Sequence, residues 1–274
     1  MNFLEKLSQV VSYPLFILNG KKPWSKGYLV YKRIEIANAL ARQDFDPKHL
    51  RPGYGYRLDE RIIEYPWLVS RLPLGVGRLL DAGSVMNFDY ILAQNVFEAK
   101  RLFISTLAPE ANCFWKKGVS YIYEDLRETC YRDDYFNWIA CLSTLEHIGM
   151  DNTLLYTTDA SKKELQVDDH LRVIKEFRRI LRPGGTVYLS FPFGEYRNHG
   201  WYQVFDAPRL DRIIETFAPA SVTENHFKYE PDGWRASSRE ESKHATTFDI
   251  HARKTYDEDF AAASRAIVCL EMVK

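Results

Sequence analysis

Gly77-Arg78-Leu79-Leu80-Asp81-Ala82-Gly83-Ser84 decides how this chain is read: an apolar run too short for a helix ends on an acid, a small residue and a glycine. Such runs, apolar rather than alternating, mark strands covered on both faces. Working outward, similar runs recur at Arg101–Thr106, Val119–Tyr123, Asn137–Ser143 and Thr186–Pro192, which predicts a parallel sheet. Between the last two, Asp169–Leu181 sets Leu171, Ile174, Phe177 and Leu181 on one helical face, and Pro183-Gly184-Gly185 follows as a stop signal. Beyond Pro192, a helix is predicted from Asp206 and Pro208 to Phe217, with two further strands at Ser221–Tyr229 and Ala266–Val273 that complete a sheet of seven.

Upstream of residue 76 the character changes. Tyr31–Ala41 and Glu60–Leu72 read as helices, and Asp46–Tyr56 carries the prolines and glycines of a loop. Residues 1–75 are therefore expected to form a helical extension or lid, and residues 76–274 the sheet domain. The apolar stretch Val10–Leu18 is broken by Pro14, lacks a small-residue cleavage site and is too short to span a bilayer. It reads as a helix packed on the domain, with shallow membrane contact as the alternative. At 274 residues, 46% hydrophobic and 27% charged, the chain has the composition of an ordinary soluble protein with a sizeable core. Lys plus Arg equal Asp plus Glu at 37 each, so net charge gives no reason to expect nucleic-acid binding. Cys113, Cys130, Cys141 and Cys269 form no CxxC pair, and the last two sit in apolar runs; a reducing compartment, the cytoplasm, is expected.

Ligands of doubly wound sheets sit beyond the carboxyl ends of the strands, so the residues that end each strand carry the functional reading. Gly83 would let the backbone approach a ligand. Asp81 is placed to attract an ammonium, and a helix start near Asn87 to receive a carboxylate. By itself this is a one-glycine turn that fits several nucleotide folds.

Two more segments keep it company: Ser143-Thr144-Leu145-Glu146-His147-Ile148-Gly149 closes the fourth strand, and Leu181-Arg182-Pro183-Gly184-Gly185 precedes the fifth, with Pro192-Phe193-Gly194 beyond it. Their order and joint spacing resemble class I S-adenosylmethionine-dependent methyltransferases, in particular a bacterial methyltransferase-like subgroup with STLEHIG, LRPGG and PFG segments. The likeness runs from about residue 58 to 274, beginning at Asp59-Glu60-Arg61-Ile62-Ile63-Glu64-Tyr65-Pro66. The resemblance implies a Rossmann-like α/β fold: a seven-stranded, mostly parallel sheet, helices on both faces, the last strand antiparallel. It implies S-adenosyl-L-methionine as cofactor, with Asp81, Ala82, Gly83, Ser84 and Asn87 at its methionine end. Relatives place a carboxylate at the end of the second strand for the ribose hydroxyls. This chain ends that strand in Ser105-Thr106, so that either Thr106 or Glu110 would take over. Asp125 and Leu126 match the adenine position, and Ser143 and Thr144 the segment passing beside the cofactor.

For chemistry the resemblance points to Glu146 and His147. A base near neutral pH helps to methylate a hydroxyl, and histidine is tunable there. The alternative is that this turn only aligns nucleophile and methyl group. A Glu-His pair also resembles part of a divalent-metal site in quinone O-methyltransferases, but Ser143 stands where another acid would be needed, and no metal is expected. Tyr196, Arg197, His199, Trp201 and Tyr202 crowd Phe193–Asp206, which together with the N-terminal helices is expected to cover the acceptor, a small or glycan-linked molecule. Trp201, like Trp24 and Trp234, has packing as its alternative role. Ser237–Lys254, with His244 and His251, reads as a solvated insertion. The expected activity is O-methylation; a non-catalytic binding or scaffold protein of the same fold is the alternative. A nicotinamide oxidoreductase would need GxGxxG where this chain has Gly83 followed by Ser, Val, Met and Asn.

Overall fold

A computed structural model describes residues 12–157, 159–249, 251–253 and 255–274. Of the apolar N-terminal stretch, residues 12–18 are helical and bury Phe16; positions 10 and 11 lie outside the described residues. Two helices follow, α1 (Tyr28–Arg42) and α2 (Arg61–Arg71). Then come β1 (Gly77–Ala82), β2 (Lys100–Thr106), β3 (Ser120–Tyr123), β4 (Phe136–Leu142), α3 (His170–Ile180) and β5 (Leu181–Pro192). A small hairpin, β6 (Arg197–Asn198) and β7 (Gln203–Val204), leads to α4 (Ala207–Phe217), β8 (Ser221–Glu230), β9 (Gly233–Ser237) and β10 (Ala266–Val273).

The main sheet has eight strands in the order β3-β2-β1-β4-β5-β10-β8-β9. The first five are parallel, and β10 runs antiparallel between β5 and β8. The expected seven strands therefore become eight, because β8 turns back through Pro231-Asp232 into the edge strand β9. β5 is also longer than expected. Leu181 already pairs with Phe136, and the next partners, Trp138 and Thr186, are reached only after a bulge. Gly184 takes φ +71 there, and the bulge is closed by Gly184 N–H to the Lys274 carbonyl and Lys274 N–H to the Gly185 carbonyl, both 2.9 Å.

Successive strand side chains point to opposite faces, and the sheet is covered on both. Leu80, Ile139, Leu189 and Leu270 pack with Ile174 and Phe177 of α3 and Leu210 and Ile213 of α4. Leu79, Leu102, Leu142 and Tyr188 meet instead Ile36 and Leu40 of α1 and Ile63 and Trp67 of α2. The connection after β1 holds only two short turns, helical Asp89–Leu92 and 3₁₀ Asn95–Phe97, so the N-terminal helices supply most of the apolar cover on that side. α2 tolerates Pro66 in its middle. A proline there cannot bond the Ile62 carbonyl, and the buried Tyr54 hydroxyl donates to it instead, at 2.9 Å. Asp206 caps α4 by accepting from Arg209 N–H, with Pro208 in the first turn. No helix among the described residues is long and apolar enough to cross a membrane. Cys141 and Cys269 are buried, Cys113 and Cys130 exposed, and all four are free.

Candidate functional site

A cleft of about 230 Å³ opens where the parallel strands end. Gly83 borders it after β1, Thr106 and Leu107 at β2, Asp125, Leu126 and Arg127 after β3, and Ser143, Thr144 and His147 after β4. Arg61 reaches it from the start of α2, and Asn152, Leu155, Tyr156 and Glu164 from the connection between β4 and α3. Seven of the expected site residues thus meet at one cavity: Gly83, Thr106, Asp125, Leu126, Ser143, Thr144 and His147. Asp81, Ala82, Ser84, Asn87, Glu110 and Glu146 do not border it.

Each exclusion has a local cause. Asp81 is buried and turns beneath its own loop, accepting from Val85 N–H at 3.1 Å and Met86 N–H at 2.8 Å. Burial pushes its carboxyl up to about 7 against those two bonds. Ala82 is buried as the last residue of β1. Gly83 has φ +112, and a Cβ would collide with Thr144 Oγ1, so the glycine lets two strand-end turns touch. Ser84 is left-handed at φ +62, and its Oγ is buried without a partner among the described residues. Asn87 ties the β1 turn to the connection between β2 and β3. It donates to Glu110 Oε2 at 3.1 Å and the Asn112 carbonyl at 3.0 Å, and accepts from the Tyr121 hydroxyl at 2.9 Å.

At the next two strands, Thr106 faces the cleft, while Ser105 turns away to donate to Glu124 Oε1 at 2.7 Å. Arg127 grips Asp125 through its backbone N–H, Nε and Nη2, at 2.6–3.1 Å. The same guanidinium reaches Glu164 at 2.7 Å and Asp169 at 2.6 Å, one cation among three carboxylates. Burial alone pushes Asp125 up; the bonds and charge of Arg127 overcome it and hold the carboxyl below its ordinary value.

After β4 the backbone is strained, with Ser143 at φ +36. Its Oγ donates to Glu64 Oε1 at 2.5 Å, which also accepts from Ser190 Oγ at 2.6 Å, while Arg61 holds Glu64 Oε2 at 2.6 Å. The fully buried Glu64 is therefore satisfied. In the single 3₁₀ turn Leu145–His147, neighbouring side chains diverge. Glu146 goes inward, buried, with Oε2 unpartnered, and burial pushes it well up. His147 faces the cleft. Its Nδ1 lies 2.9 Å from the Trp201 carbonyl, which can only accept, so Nδ1 carries the proton and Nε2 the lone pair. Burial pulls its pKa down to about 4 against that bond, leaving the ring neutral at pH 7.

Phe193–Asp206 does not border the cleft. Trp201 and Tyr202 pack against the His147 ring at 5.2 and 6.2 Å, His199 stacks on Tyr202 at 4.4 Å, and Tyr196 lies under Arg209. On this side the cleft is bordered instead by Gly149, Asn152, Leu155, Tyr156 and Glu164, the last paired with Arg127. Trp24 and Trp234 donate their indole N–H groups to the carbonyls of Ala262 and Leu58 and hold chain segments together. No group of three or more His, Cys, Asp or Glu able to hold a metal ion occurs among the described residues. Arg61, Glu64, Arg127, Asn152, Tyr156 and Glu164 were missed. Arg61 and Glu64 announce themselves faintly, as an i,i+3 charged pair at the start of a mostly apolar helix.

No family model and no curated protein matches this sequence. Solved structures do. Phosphoethanolamine N-methyltransferase 2 of Haemonchus contortus, in complex with phosphomonomethylethanolamine and S-adenosylhomocysteine, is 14% identical at a TM-score of 0.50, with 87% of this chain and 56% of that one covered. A putative methyltransferase of Bacillus halodurans is 12% identical at a TM-score of 0.47, covering 77% and 98%. The YcgJ protein of Bacillus subtilis is 12% identical at 0.46, covering 77% and 97%. The fold is Rossmann-like. At such identities the likeness speaks to the fold alone, and the chemistry rests on the residues of the cleft.

Proposed function

We propose that the cleft binds S-adenosylmethionine and that the chain transfers its methyl group to an oxygen of a small or glycan-linked acceptor. The observation that carries this is the meeting, at one cavity, of the Gly83 turn, Thr106, Asp125-Leu126, Ser143-Thr144 and His147, in the strand order the sequence implied. The orphaned Ser84 Oγ beside the Gly83 turn fits a polar ligand at the methionine end. Thr106 would hold the ribose through a single hydroxyl, since Glu110 is engaged by Asn87. Asp125 and Leu126 would face the adenine, with Arg127 fixing the Asp125 carboxylate. When bound, the cofactor supplies an electrophilic methyl on a sulfonium, and what is asked of the protein is alignment. His147 meets that demand: a neutral ring with a fixed tautomer offers Nε2 to the hydroxyl of the acceptor and orients its lone pair.

Residues 1–75 would serve as the extension that covers one face and lends Arg61 to the cleft of the 76–274 domain. The unpaired cysteines support a reducing, cytoplasmic setting. Titration calorimetry with S-adenosylmethionine and S-adenosylhomocysteine tests the proposal: one site is expected, and no heat from either at millimolar ligand refutes it. The second reading, a non-catalytic binding protein of this fold, is favoured by Thr106 standing where relatives carry a carboxylate. Slow release of S-adenosylhomocysteine from bound cofactor in a cell extract, over a boiled control, would set it aside.

A further inference from the structure

The sequence assigns a carboxylate to the helix start near Asn87, and the structure takes that receiver away. Asn87 donates to Glu110 and Asn112, accepts from Tyr121 and does not border the cleft, and the helix after it is a single turn, Asp89–Leu92. The cleft itself offers two guanidinium groups, Arg61 and Arg127. Arg127 is fully engaged: Nε donates to Asp125, Nη1 to Glu164 and Asp169, and Nη2 to Asp125 and Glu164. Arg61 is engaged on one side only. Its Nη1 donates to Glu64 Oε2 at 2.6 Å and approaches the Leu142 carbonyl at 3.4 Å, while Nε and Nη2 have no acceptor among the described residues. The side chain is 21% exposed and borders the cleft, and neither nitrogen is among the buried unpartnered atoms, so this edge stays open.

We propose that Arg61 is the anion subsite of the cleft and takes a carboxylate on its Nε–Nη2 edge. That edge carries two parallel N–H bonds, which match the two oxygens of a carboxylate, and a guanidinium stays charged at any working pH. Glu64 holds the other side of the group, and is itself fixed by Ser143 Oγ at 2.5 Å and Ser190 Oγ at 2.6 Å. The open edge is thus set before a ligand arrives, which lowers the cost of binding. Nearby acids do not compete for it. Asp59 is paired with Lys32 at 2.6 Å, and Glu60 and Glu146 do not border the cleft, both being pushed up by burial toward the neutral form. The same cavity is lined by Gly83 and Val85 at the methionine end and by His147 on the acceptor side, so the carboxylate has two sources within this chemistry. One is the amino-acid end of the cofactor, and the other is an acceptor that is a hydroxy acid or an acidic sugar. The inference rests on the methyl-transfer reading only for what else the cleft holds.

Titration calorimetry on the wild type, Arg61→Lys and Arg61→Met tests the assignment in two arms. The first compares S-adenosylhomocysteine with its decarboxylated form, which keeps the adenosine, the sulfur and the ammonium. If the cofactor supplies the carboxylate, the wild type binds the decarboxylated form about tenfold to a hundredfold more weakly, the loss of one charge-assisted pair. Arg61→Met then weakens S-adenosylhomocysteine by the same factor and leaves the decarboxylated form unchanged, while Arg61→Lys, charged but without the paired N–H edge, falls between. The second arm adds sodium glycolate, or the uncharged glycolamide, to protein saturated with S-adenosylhomocysteine. If the acceptor supplies the carboxylate, glycolate alone binds saturably, and Arg61→Met abolishes this without changing the affinity for S-adenosylhomocysteine. A preference for the carboxylate in neither arm, or one that survives in both variants, overturns the subsite and leaves Arg61 as the partner of Glu64 alone. Arg61→Met deprives the buried Glu64 of its cation; should it fail to fold, Arg61→Lys and the paired ligands on the wild type decide the matter. The two readings fail separately. S-adenosylhomocysteine and its decarboxylated form bound alike, with no response to glycolate, refute the subsite only, whereas Arg61-dependent glycolate binding in a protein that ignores S-adenosylhomocysteine refutes methyl transfer only.

Discussion

Replacing Asp81 by asparagine should cost about 1 kcal/mol in acid, where one turn amide loses its acceptor, and should make the protein more stable above neutral pH. The carboxyl sits 1% exposed under its own turn, with its two oxygens on the Val85 and Met86 amides, and burial raises its pKa from 3.8 to about 7. A carboxyl raised on folding binds a proton that the unfolded chain releases. Its contribution to stability is therefore full below 3.8 and is lost as pH rises through about 7. At about 1.36 kcal/mol for each pH unit of that interval, the wild type forgoes about 4 kcal/mol by pH 8, roughly 3 of them between pH 5 and pH 8. Asparagine imitates the neutral acid, with one carbonyl acceptor and no charge, and escapes this loss. Urea unfolding followed by tryptophan fluorescence at pH 5, 6, 7 and 8 would show the variant pulling ahead of the wild type as pH rises. A stability difference that does not change with pH would mean that the two amide bonds outweigh burial and that the carboxyl is ionised throughout. The same variant leaves one turn amide unpaired, and its affinity for S-adenosylhomocysteine should fall: stability gained against function, as at other strained sites.

Two further predictions concern the same cleft. Gly83→Ala drives a Cβ into Thr144 at a φ that alanine avoids, and should cost about 3 kcal/mol of stability by the same urea assay, since strain and overpacking add; a loss under 1 kcal/mol would mean that the two turns separate freely. Arg127→Met strands three carboxylates, Asp125, Glu164 and Asp169. It should weaken S-adenosylhomocysteine binding about tenfold by calorimetry and open residues 153–164 to trypsin, as expected when a partly buried ion pair loses one partner; wild-type affinity and cleavage would show that this cage does no positioning.

What could be seen in the sequence follows from what each signal depends on. The ends of β1 to β4, α3 and the capped α4 were all visible, because apolar runs, a 3.6 period and an Asp-x-Pro start are local. β9 was missed, although Tyr229-Glu230-Pro231-Asp232-Gly233-Trp234 carries a turn signature between two aromatic residues. Only Ser237 of its five residues lies in the expected insertion Ser237–Lys254, and Gly233–Ala236 falls in no expected element. Side-chain direction was hidden altogether. Asp81 and Asp125 both stand near strand ends, yet one bends under its own amides and the other meets Arg127. Glu146 and His147 are neighbours, yet one is interior and one faces the cleft, because a 3₁₀ turn rotates successive residues by about 120°. The contribution of α2 to the cleft needed the tertiary structure, since Arg61 is 81 residues from the Leu142 carbonyl it approaches.

The covering of one sheet face by α1 and α2 also shapes the order in which the chain can fold. Arg71 pairs with Glu271 across 200 residues, the Tyr256 hydroxyl donates to the Pro23 carbonyl across 233, and the Trp24 indole reaches Ala262 across 238. The apolar faces of both early helices are made long before the strand β10 that completes the sheet they lie against. On a ribosome they must wait, and contacts of such sequence separation form slowly. The half-made chain, with Trp67 and Ile63 still uncovered, is the species a chaperone would meet.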